Sequence, residues 1–116
     1  NINGNIFIVG SNGKLLDYYS SNDELPFIFG KPNIGEFLDF KKIFDKSKFD
    51  YMHVKNLYFF PSKRWDIEFK NNKILKLPEK FDQVSLDHLF EFTNDKNFKN
   101  IKIIDARIKN QIILNE

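Results

Sequence analysis

Arg64-Trp65-Asp66-Ile67-Glu68-Phe69 alternates without a break, placing Trp65, Ile67 and Phe69 on one face of an extended strand and Arg64, Asp66 and Glu68 on the other. Asn71-Asn72 follows as a tight-turn pair, so Ile74 to Leu77 is predicted to return antiparallel before Pro78 ends it. A hairpin with one apolar face needs something to cover that face. It therefore fixes the rest of the chain as a packing problem around a sheet.

The remaining segments supply the cover and more strands. Asn5 to Val9 and Lys14 to Tyr18, joined by Ser11-Asn12-Gly13, read as an opening hairpin. Leu25 to Gly30 is a short apolar segment closed by Gly30 and Pro32. From Ile34 to Phe49 the apolar residues Phe37, Leu38, Phe40, Ile43 and Phe44 recur at helical spacing, leaving Lys41, Lys42 and Lys46 for the wet face. Met52 to Phe60 is a strand whose imperfect alternation signals a bulge. Asp82 to Asn94 is a second helix with Val84, Leu86, Leu89, Phe90 and Phe92 as its apolar positions, and Ser85 either caps it or lies inside it. Ile101 to Ile108 and Gln111 to Asn115 are two closing strands around a Lys109-Asn110 turn, with Ile104, Ala106 and Ile108 expected toward the core. The order of hairpin, helix, three strands, helix and two strands predicts one α+β domain over residues 1–116, with a mostly antiparallel sheet and two main helices.

Composition agrees with a single core. The chain has 116 residues, 41% of them hydrophobic, which suits one domain and is short for two. Its 14 Phe residues make aromatic packing the main source of that core. The absence of cysteine rules out disulfide and thiolate chemistry. No apolar run approaches the roughly 18 residues that cross a bilayer. Asn1 is not an initiator Met, so the chain is expected to be an excerpt of something longer. The formal charge of +2 comes almost wholly from Lys, since Arg64 and Arg107 are the only arginines. Abundant Lys, Asn, Ile and Phe beside a single Ala, Ala106, resembles the bias of an AT-rich genome more than a binding surface.

Catalytic patterns are weak. His53 and His88 lie in different elements, and no His or Cys pair stands at ligand spacing, so neither a zinc site nor another metal site is expected. Asp87 and His88 are neighbours, about 100° apart on a helix, and do not chelate together. The serines sit in turn or cap contexts. Gly10-Ser11-Asn12-Gly13 lacks the length and the Lys of a phosphate loop. Lys41, Lys42, Lys46 and Lys48 are diluted by Glu36, Asp39 and Asp45, which favours a solvated helix face over nucleic-acid binding. Lys63-Arg64 is either an exposed basic pair beside a core Trp65 or a pair that stacks and receives a partner's carboxylate. Asp105 and Arg107, two apart on one strand face, suggest a structural ion pair.

The chain's end offers a different kind of site. A terminal strand carrying Ile112, Ile113 and Leu114 is expected at or near a sheet edge, where unpaired N–H and C=O groups can template a strand from another chain.

Taken in order, Ser11-Asn12-Gly13-Lys14-Leu15-Leu16, Leu25 to Gly30, Lys63 to Ile67, the Asn71-Asn72 turn with Ile74 to Pro78, the second helix and Ile103-Ile104-Asp105-Ala106-Arg107 resemble the bacterial cell-division family FtsQ/DivIB over nearly the whole chain. The resemblance implies the family's β-domain, with a POTRA domain and one transmembrane anchor lying before Asn1. It implies a single-pass inner-membrane protein with this domain in the periplasm at the division septum. The family is not enzymatic and uses no cofactor. It assembles the divisome, binding FtsB and FtsL through the last strands of the domain. Carried over, the partner-binding positions are Ile108, Lys109, Asn110, Gln111, Ile112, Ile113 and Leu114, with a basic contribution from Lys63 or Arg64. Trp65, Asp105 and Arg107 are structural. Ile108 stands where many relatives carry an aromatic, and Gln111 where relatives can carry Gly. The alternatives are an envelope chaperone or transport domain that binds extended peptides, and a small-ligand enzyme using His53 or His88 with Asp87 or Asp50.

Overall fold

The computed structural model describes residues 6–8, 25–108 and 111–115. Its strands are β1 (Ile6–Ile8), β2 (Phe27–Phe29), β3 (Val54–Phe59), β4 (Trp65–Phe69), β5 (Ile74–Lys76), β6 (Ile103–Asp105) and β7 (Ile113–Asn115), with helices α1 (Ile34–Lys46) and α2 (Gln83–Asn94). The strands form one seven-stranded sheet in the order β1-β2-β3-β4-β5-β6-β7. The expected second strand of the opening hairpin, Lys14 to Tyr18, lies outside the described residues.

The α+β class holds, but the sheet is mixed rather than mostly antiparallel. β2 runs parallel to β3 and β5 parallel to β6, while the other neighbours are antiparallel. The physical reason is the helices. Each one carries the chain back along the sheet, so the next strand starts again in the original direction beside its predecessor. The sequence of pairings is the same read from either edge, with β4 at the centre.

Registry explains the core. Ile28, Leu57, Ile67, Leu75, Ile104 and Leu114 stand opposite one another in a single row across six strands. All but the last are at most 1% exposed. Trp65 stacks on Phe40 of α1 at 4.7 Å, and Phe49 stacks on Phe69 at 5.3 Å, so α1 and the turn after it close over this face. The shift of register between Val54 and Asn56 is the bulge that the uneven alternation of β3 signalled. Gly30 has φ +105°, and a Cβ there would come within 2.2 Å of the Phe59 carbonyl oxygen, so only glycine fits where β2 ends against β3.

Both helices begin on reciprocal caps. Asn33 accepts from Glu36 N–H at 2.7 Å while Glu36 accepts from Asn33 N–H at 2.9 Å. Asp82 and Ser85 repeat the arrangement at 2.8 and 3.0 Å, which places Ser85 inside α2 rather than at its cap. α1 stops at Lys46 instead of reaching Phe49, because the Ser47 N–H and hydroxyl both take the Phe44 carbonyl. Four side chains depart from expectation, one of them Leu38 of α1, which is 42% exposed. Lys41 is buried rather than wet, 5% exposed, held by both oxygens of Asp45 and lying 4.3 Å from the centre of the Tyr51 ring. Val84 is 74% exposed and adds nothing to the core. Ile108, expected inward, is 55% exposed, because β6 ends at Asp105 and the alternation does not continue.

Candidate partner-binding edge

β7 stands last in the sheet order, and among the described residues its only pairing partner is β6. Which of its peptide groups are used follows from the hydrogen bonds of β6. Ile74 N–H donates to Lys102 C=O and Ala106 N–H to Lys76 C=O, so the carbonyl just before β6 and the N–H just after it serve β5. The groups of Ile103 and Asp105 therefore turn to β7, opposite Asn115 and Ile113. Asn115 C=O is engaged inward, accepting the Lys102 N–H at 2.8 Å, so Lys102 bonds both neighbouring strands. By alternation, the N–H and C=O of Leu114 face away from β6. The Leu114 side chain meanwhile packs against the core, and Ile113 is exposed on the helix-free face.

Beside this edge runs a charged row on the face that the helices leave open. Asp66, Lys76, Asp105 and Ile113 are consecutive cross-strand neighbours from β4 to β7. Asp105 accepts from Arg107 through both carboxylate oxygens, at 2.9 and 2.6 Å, and from the Arg107 backbone N–H at 3.0 Å. These bonds hold the Asp105 carboxyl below its ordinary range and raise the Arg107 guanidinium. They also end β6 with a local turn that sends the chain back toward β7. The expected structural ion pair is thus present, and it sits one strand from the edge.

Arg64 donates to Asp66 at 3.2 Å and to the Leu77 carbonyl at 3.0 Å, with its guanidinium 4.9 Å from the centre of the Phe60 ring. It belongs to the same side of the sheet as the Asp66–Asp105 row. Lys63 does not join it. With φ 70° it turns away, and its ammonium pairs with Glu36 at 2.7 Å beside the start of α1. Trp65 is 4% exposed and structural, as expected. Gln111 is exposed and Ile112 half-buried, while Lys109 and Asn110 lie outside the described residues.

The sequence did not single out the groove behind the edge. Ile108, Gln111, Ile112, His88, Leu89 and Pro78 contribute to a cavity of about 800 Å³ between α2 and the β6–β7 connection. No local signal marks it, because α2 and the connection meet only in the folded chain. His53 and His88 are both exposed and lie in separate cavities. Among the described residues, no three His, Cys, Asp or Glu side chains are grouped to hold a metal. No described helix is long and apolar enough to cross a membrane. No family model and no curated protein matches the chain.

Proposed function

We propose that this domain is a non-enzymatic assembly module of the FtsQ/DivIB β-domain type, which recruits the periplasmic segments of FtsB and FtsL at the division septum by accepting a strand along β7. What supports the reading is the position of β7, last in the sheet order and paired, among the described residues, with β6 alone. β7 carries no charge and no proline in Ile113–Asn115, the usual devices that stop an edge from pairing. The sequence resemblance adds the partner class, and the anchoring of the full-length protein in the inner membrane comes with it. Ile108, Gln111 and Ile112 flank the edge and would contact the side chains of an added strand.

The test separates backbone from side chain. Leu114→Pro removes the outward N–H and should weaken binding of an FtsB periplasmic peptide by about tenfold or more. Leu114→Ala keeps that N–H and should bind within about threefold of the parent, with circular dichroism confirming that both variants fold. Undiminished binding by Leu114→Pro would defeat the proposal. Equal binding of arbitrary extended peptides would favour an envelope chaperone instead.

A further inference from the structure

A second cavity, of about 410 Å³, lies away from β7, between the end of α2, the segment entering β3 and the β4–β5 turn. Its floor is aromatic. Phe49 and Phe69 stack at 5.3 Å, and Phe90 meets Phe49 edge-on at 5.1 Å. Its rim is basic, with Lys48, Lys70, Lys73 and His53 set against Asp50 alone among the lining carboxylates.

The rim cations are not equivalent. Lys48 pairs with Glu91 at 3.2 Å. Lys73 donates to the carbonyls of Phe98, Lys99 and Ile101, which anchors the segment leading into β6. The Lys70 backbone N–H donates to the His53 carbonyl at 2.8 Å, which sets these two residues side by side. Among the described residues, the Lys70 ammonium makes no ion pair or side-chain hydrogen bond, and it is exposed. The negative end of α2, which would otherwise repel an anion here, is partly neutralised: the Phe90 carbonyl accepts from both the Thr93 hydroxyl and the Asn94 amide. The cavity thus joins an apolar floor of aromatic rings to a cation that has no side-chain partner among the described residues.

We infer that this cavity binds a small aromatic anion, its ring over Phe49, Phe69 and Phe90 and its acid group at Lys70 and His53. The volume falls within the range of small-molecule sites, which suits a fused ring bearing one acid group. Lys presents a compact charge rather than a planar fork, so the anionic group is recognised by charge more than by shape. The site is independent of strand addition at β7.

Indole-3-acetate is the probe, titrated into the isotope-labelled chain and followed by amide chemical shifts, with neutral indole and cationic tryptamine as controls. The expected result is a saturating set of shifts confined to residues 48–53, 69–73 and 90–94. Indole should bind about tenfold more weakly and tryptamine not at all. Lys70→Glu, a surface change, should weaken the acid about tenfold while leaving indole unchanged. Equal affinity for acid and neutral ring, shifts scattered over the surface, or an indifferent Lys70→Glu variant would each overturn the assignment.

Discussion

Asp66 and Asp105 flank Lys76 in one cross-strand row, and their side chains are about equally covered, 10% and 11% exposed, yet their carboxyls are driven in opposite directions. Burial pushes Asp66 up, and the pull of Arg64 through one 3.2 Å bond does not cancel it. Asp105 goes down because the Arg107 guanidinium donates to both carboxylate oxygens and the Arg107 backbone N–H adds a third bond. The difference is one of position. Asp66 lies on the central strand, where surrounding protein displaces water. Asp105 lies beside the edge, where the chain can turn and deliver a guanidinium to it. The centre of this sheet is held by packing, and its edge is held by local polar bonds.

That contrast is most directly broken at the centre. Ile67→Ala removes a fully buried side chain from the middle of the core row and should cost about 2–5 kcal/mol in urea unfolding. A loss below about 1 kcal/mol would mean that the row is not the main support. Asp105→Asn should cost less, about 1 kcal/mol, because Arg107 is 44% exposed and water replaces part of the pair. It should also loosen β7, seen as faster amide exchange at Ile113 and Asn115 than at Ile67. Asp66→Asn should change stability at pH 7 by no more than about 0.5 kcal/mol and in the stabilising direction, since it removes a charge that burial disfavours.

The smallest and sharpest test is pH. Asp105 has a folded pKa below the ordinary 3.8, so its contribution is present above that value and is lost as the pH falls through the folded pKa. Asp66 has a folded pKa above 3.8, so its contribution is present below that value and is lost as the pH rises through the folded pKa. The two slopes oppose each other. Thermal midpoints measured from pH 6 to pH 2 should therefore show a shallower acid loss for Asp105→Asn than for the parent, and a steeper one for Asp66→Asn. Identical slopes in all three would remove the distinction drawn between them.

Much of the architecture is legible in local patterns. The alternation of Trp65, Ile67 and Phe69 marks β4. The Asn71-Asn72 pair marks its turn, in which Asn72 adopts φ 71°. Phe37, Phe40 and Phe44 mark the buried stripe of α1. Lys41 escapes this reading because helical spacing alone cannot reveal that the turn around Tyr51 folds across it and supplies a ring and a pocket for its ammonium. Lys63 escapes it as well, since nothing in the sequence marks a lysine for positive φ.

The chain by itself determined where most strands and helices form and which apolar faces need burial, because those depend on neighbours within a few residues. Tertiary structure alone decided that two strand pairs run parallel, that Leu114 rather than Ile113 turns its peptide away from β6, and that Phe49, Phe69 and Phe90 line one cavity with Lys70. Each of these depends on register between segments far apart in sequence, and a shift of one residue reverses which backbone groups and side chains point outward.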